Sequence, residues 1–113
     1  MASIPTTYLG MSDAELYREL GDALAGGHAA PTDPEEVERR GYEYFQTALP
    51  QIRAVVCGSK MIESFIKKDD VFAVAGAIAE IISGHFQLPR ATATLAMLAA
   101  RMGLRALCPA VGA

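Results

Sequence analysis

Apolar residues return every three or four positions over most of the chain, and the rhythm stops at residues that cap or break helices. Leu16, Leu20, Ala23 and Leu24 form the first stripe. Ahead of it stands Ser12-Asp13-Ala14-Glu15, a Ser-x-x-Glu capping box in which the serine oxygen takes the amide three residues on and the glutamate reaches back. A helix over 13–25 is predicted, ended by Gly26-Gly27, because glycine enters the left-handed conformation at little cost. A short Ala/Pro linker follows at 28–32. Asp33-Pro34-Glu35-Glu36 then supplies an N-cap, a proline at the first helical position and acids in the first turn. Val37, Gly41, Tyr44, Ala48, Ile52 and Val55 fall within about 60° of one another at 3.6 residues per turn, so the second helix is expected to reach Val56. Pro50 has no amide to bond the carbonyl of Gln46, which predicts a kink or a restart there.

The stretch "VVCGSKMIESF" at 55–65 reads as a boundary, with Gly58 turning the chain and Ser59 capping a third helix over 60–68. Met61 with Phe65 and Ile62 with Ile66 are its i,i+4 pairs, and Lys67 and Lys68 suit the negative end of its dipole. Asp69 or Asp70 can cap a fourth helix at about 70–84, which is apolar nearly all round, the mark of a helix enclosed by neighbours. Ala73, Gly76, Ala77, Glu80 and Gly84 share one narrow face of it, a small-residue groove that lets another backbone approach, with Glu80 its only charge. Leu88-Pro89 opens the last long helix, about 90–102, with Leu95, Leu98, Ala99 and Met102 inward. Arg90, Thr94, Arg101 and Arg105 make a guanidinium stripe if that helix continues past Gly103, and one of its members is expected to pair with Glu80. The fold class is therefore all-α: a compact bundle of five to six short helices around the central apolar helix at about 70–84, in one domain over 1–113. Residues 1–11 and 109–113 are expected to be loosely held.

Composition narrows the function. With 113 residues, 51% of them apolar and a net charge of −3, the chain has the material for one packed core and lacks the cationic surplus that nucleic-acid phosphates reward. Nucleic acid is thus an unlikely partner, a local arginine patch being the exception. The longest uncharged apolar stretches, 71–79 and 91–100, fall short of the roughly 18 residues a bilayer span requires, so no membrane partner is expected. The first residues show no basic segment followed by an apolar one, and Cys57 and Cys108 lie far apart. A cytoplasmic protein with reduced thiols is the expectation.

Candidate chemistry is sparse. Cys57 lies at the C-terminal end of a helix, where the dipole raises a thiol pKa, so it reads as structural rather than nucleophilic. The single glycine before Ser59-Lys60 lies between helices and does not make a phosphate loop. His28 and His85 each follow a glycine at a helix end, and with Cys57 and Cys108 they contain none of the closely spaced ligand pairs of structural zinc sites. Glu35, Glu36, Glu38 and Glu43 with Arg39 and Arg40 read as a solvated face with local ion pairs. Tyr8, Tyr17, Tyr42, Tyr44 and Phe45 suit either core or interface. No enzyme, metal or cofactor is expected. The favoured function is a non-catalytic protein–protein interaction module, a small subunit or adaptor of a cytoplasmic assembly, that binds a protein partner or itself through the arginine stripe and the small-residue groove. Its alternatives are a thiol-dependent enzyme using Cys57 with His85, and a regulator contacting nucleic acid through Arg90, Arg101 and Arg105.

Overall fold

A computed structural model of the chain describes residues 4–25, 33–65, 70–86 and 89–108. After a 3-10 turn at Thr6–Gly10 come α1 (Asp13–Ala25), α2 (Pro34–Val56), α3 (Lys60–Glu63), α4 (Val71–Ile82), α5 (Pro89–Met102) and α6 (Leu104–Leu107). It is an all-α bundle, as the spacing of apolar residues predicts. The expected ends of the linker at 28–32, the lysines at 67–68, His28 and the tail at 109–113 lie outside the described residues.

Helix starts follow the local chemistry. Ser12 N donates to Glu15 Oε1 at 3.0 Å while Glu15 N donates to Ser12 Oγ at 3.1 Å, so both halves of the capping box form. Asp33 takes the amide of Glu35 at 3.0 Å, Ser59 that of Met61 at 3.3 Å and Asp70 that of Ala73 at 3.1 Å. α2 is one helix of 23 residues that runs through Pro50, so no restart occurs there. Its buried face is Val37, Gly41, Phe45, Ala48, Leu49, Ile52 and Val56, which takes in Phe45, Leu49 and Val56 and leaves Tyr44 and Val55 half-buried. Packing on two sides rather than one widens the stripe: α2 meets α1 and also α4.

α1 and α2 form a hairpin whose seam is made by two glycines. A Cβ on Gly21 would lie 2.3 Å from the carbonyl oxygen of Val37, and one on Gly41 would lie 1.9 Å from that of Tyr17. Only a hydrogen side chain lets the two backbones come this close. Tyr17 lies beside the seam, its ring edge-on to Tyr42 with centroids 5.2 Å apart.

α4 and α5 form the other long pair. α4 buries Val74, Ala75, Ala77, Ile78, Ala79 and Ile82 in the core as expected of the apolar helix. α5 is enclosed still more fully: every residue from 91 to 100 is buried, because α1, α4 and α6 all pack on it. Among the described residues two glycines have positive φ, and they end these helices, Gly84 at +90° and Gly103 at +87°. Gly58 is not among them, so its place between α2 and α3 does not depend on a left-handed backbone. α3 is a single turn of four residues, with Ile62 fully buried, Phe65 just after it packed on the core and Met61 46% exposed; Ile66 lies outside the described residues.

The residues read as a loose N-terminal segment contribute to the same cluster: Ile4 and Tyr8 are buried with it. The Tyr8 hydroxyl lies 3.1 Å from Thr94 Oγ1, which itself donates to the Arg90 carbonyl at 2.9 Å. A threonine hydroxyl has one proton, so Tyr8 is the donor to Thr94.

Candidate functional site

Two arginines of the stripe are engaged within the chain, although the Arg90 side chain stays 62% exposed. Arg90 and Arg101 leave α5 on the side where α1 and the preceding turn pack, and each is taken up there. Arg90 Nη2 is 2.5 Å from Glu19 Oε1, a contact that raises the arginine pKa further through the carboxylate hydrogen bond. Arg101 Nη1 donates to Asp13 Oδ1 at 2.9 Å, and its Nη2 reaches the carbonyl oxygens of Tyr8, at 2.9 Å, and of Met11. Thr94 is fully buried beneath Tyr8. Arg105 departs from the stripe altogether, because Gly103 breaks the helix and α6 restarts on a different axis. The expected pairing with Glu80 is not made: the acids engaged are Glu19 and Asp13, and Glu80 is exposed on α4. What reads in sequence as a contact surface is in part an internal clamp.

The small-residue groove on α4 is divided by depth. Ala77 is buried in the core, Ala73 and Gly76 are half-buried, and Glu80 and Gly84 are exposed. Phe72 is half-buried and Val71 is 38% exposed at the start of the same helix. A Cβ built on Gly76 meets no other described atom within 4 Å. The contrast with Gly21 and Gly41 is direct, since those two are filled by a neighbouring helix and Gly76 faces open space.

Cys57 and Cys108 overturn the expectation of reduced thiols. Their Cα atoms are 5.4 Å apart and their sulfurs are bonded, across 51 positions of sequence. Cys57 caps the C-terminal end of α2, its amide on the Arg53 carbonyl at 2.9 Å, and Cys108 follows α6. With both sulfurs in the bridge, neither is a thiolate for catalysis or for zinc. Spacing alone carried no sign of this pairing, because the two cysteines meet only after α6 folds back on α2. Arg53 Nε supports the same junction by donating to the Leu107 carbonyl at 3.2 Å. His85 is exposed beside Gly84. Among the described residues no group of three or more His, Cys, Asp or Glu side chains is placed to hold a metal ion.

Arg39 and Arg40 of α2 pair locally as expected, whereas Glu38 pairs across to Arg18 of α1 at 3.1 Å. Arg39 bridges Glu36 and Glu43, the latter at 2.6 Å, and Arg40 reaches Glu36 at 3.4 Å. The guanidinium of Arg39, hydrogen-bonded to Glu36, holds that carboxyl below its ordinary pKa. These pairs are solvent-exposed, and such pairs add little to stability. Tyr17, partly desolvated beside the seam and near Asp13, has its phenol pKa pushed up.

Comparison with protein-family models, with curated proteins and with solved structures finds no match. Among the described residues no helix is long and apolar enough to cross a membrane.

Proposed function

We propose that the chain is a non-catalytic protein–protein interaction module, a small subunit or adaptor, that meets its partner or a second copy of itself through the outward face of α4. One observation carries this reading. Glycine inside a helix costs about 0.5–1 kcal/mol relative to alanine, and at Gly21 and Gly41 that cost is matched by close backbone packing within the chain. At Gly76 no described atom uses the space. A small-residue face flanked by Phe72 and Ala73, with Glu80 as its single charge, suits another helix laid across it. The arginine face has less claim, since Arg90 and Arg101 are engaged within the chain.

A cytoplasmic setting is part of the reading drawn from sequence, and the Cys57–Cys108 bridge bears on it. Disulfides persist in oxidising compartments and are cycled in reducing ones. A cytoplasmic module would hold this bridge only intermittently, an extracytoplasmic one permanently.

The test is Gly76→Arg, which adds bulk to the groove at a position where a Cβ meets no described atom within 4 Å. Sedimentation velocity of the wild-type chain, alone and with proteins captured from its native extract, is expected to show an associated species. The variant should lose that species and keep its thermal midpoint. A wild-type chain that stays monomeric and captures nothing, or a variant that associates as well as wild type, would sink the proposal.

A further inference from the structure

Among the described residues, the end of α2 and the four residues of α6 are joined by the disulfide, one side-chain hydrogen bond and the burial of two leucines. We propose that the Cys57–Cys108 disulfide is a reduction-sensitive latch: oxidised, it holds α6 against α2, and reduced, it lets residues 103–108 leave while α1, α2, α4 and α5 stay packed.

Three features point this way. A helix of four residues has no stability of its own. Gly103 at φ +87° and ψ 142° breaks the helix between α5 and α6, so the two are separate helices. Among the described residues the non-covalent hold on α6 is its packing on α5, the burial of Leu104, Leu107 and Cys108, and the bond from Arg53 Nε to the Leu107 carbonyl. The long seams of the bundle, α1 with α2 and α4 with α5, do not run through α6. Opening at this point is therefore a local event, of the kind in which short, weakly packed segments detach before the core does.

The two sulfurs differ in access. Cys57 is half-buried, whereas Cys108 is 3% exposed. A dithiol reductant, either a small molecule or a thioredoxin-type protein, attacks as its thiolate at Cys57 Sγ. The disulfide breaks, the reductant sulfur bonds to Cys57, and Cys108 leaves as a thiolate that takes up a proton. The second thiol of the reductant then displaces Cys57, which is protonated in turn. Two electrons and two protons have passed to the protein, and the reductant departs as its own disulfide. Leu104, Leu107 and the surface they cover are then free to be exposed.

Trypsin reads the latch directly, because exposed Arg105 lies within α6. The full chain is digested briefly with and without dithiothreitol, products are identified by mass, and helicity is followed by far-UV circular dichroism. Cleavage after Arg105 is expected to accelerate about tenfold or more on reduction, with little loss of helical signal and no change at Arg18 or Arg39. The double variant Cys57→Ser, Cys108→Ser should show the fast cleavage without reductant and no response to it. Equal cleavage with and without reductant would overturn the proposal. So would general cleavage with collapse of the helical signal, in the reduced chain or in the double variant, since the bridge would then be a staple for the whole fold.

Discussion

Replacing Gly41 by alanine tests the closest approach made at any glycine among the described residues. The new Cβ would stand 1.9 Å from the Tyr17 carbonyl oxygen and 2.7 Å from its carbon, where ordinary contact begins near 3.4 Å. The shortfall is about 1.5 Å (3.4 − 1.9), and both partners are helical backbone, so no side chain can rotate away. α1 and α2 must separate by something close to that distance. A gap of only 0.5–1 Å already forfeits a quarter to a half of each dispersion contact across a seam, so the cost should lie near or above the upper end of the usual 1–3 kcal/mol for overpacking. Alanine returns up to about 1 kcal/mol through helix propensity, which leaves a net loss of about 2 kcal/mol or more. For a domain of this size that lowers Tm by roughly 8–16 °C. Gly76→Ala makes the comparison decisive: the same chemical change in open space should raise stability by about 0.5–1 kcal/mol. Urea titrations of both variants, followed by circular dichroism with unchanged m-values, measure the split. If Gly41→Ala proved as stable as wild type, or if the two substitutions had the same sign, the glycine seam as described would be wrong.

Other consequences are as direct. Gly21→Ala opens the same seam from the other side, so the Gly21→Ala, Gly41→Ala double variant should lose less than the sum of the single losses in the same titration. Arg101→Met keeps much of the side-chain bulk but takes the guanidinium from the carbonyls of Tyr8 and Met11, leaving that of Tyr8 only the Met11 amide; it should cost about 1–3 kcal/mol and speed hydrogen exchange over residues 4–11. The Glu15 carboxyl is held below its ordinary pKa by its hydrogen bonds to Ser12, backbone first, so its contribution is present above the ordinary carboxyl pKa and is lost as pH falls through the lower folded value. Glu15→Gln, which removes the carboxylate itself, should therefore lower Tm slightly at neutral pH and flatten the stability loss on acidification, as read by thermal melts across the acid range. Removing the bridge through Cys57→Ser, Cys108→Ser should reduce the unfolding free energy by about 4 kcal/mol on the chain-entropy account of a loop of 51 residues, measurable by urea titration.

Local chemistry was readable because it needs only a few residues. Ser12 with Glu15, Asp33 with Pro34, Ser59 and Asp70 each mark a helix start that the fold uses, since a cap acts within one turn. What a face meets is a different matter. The helical wheel correctly put Arg90, Thr94 and Arg101 on one side of α5, but nothing in their spacing says that the turn at Thr6–Gly10 covers that side. Arg105 fell off the same wheel because a glycine that permits a helix to continue also permits it to break. Gly41 was legible as part of an apolar face and illegible as a contact, because its partner Gly21 is set by how two helices cross. The disulfide was beyond reach for the same reason: its pairing is a property of α6 folding back, and no residue near either cysteine announces it.

The Arg101 clamp also orders events in time. Arg101 lies 93 positions from Tyr8 and 90 from Met11, so at roughly 5–20 residues per second a ribosome makes the segment around Tyr8 about 5–20 s before its anchor exists. The glycine seam between α1 and α2, by contrast, joins neighbours in sequence and can close as soon as α2 is made. Tyr8 and Ile4 must wait beside a finished hairpin until α5 arrives, and the last arginine of that helix closes the bundle over them.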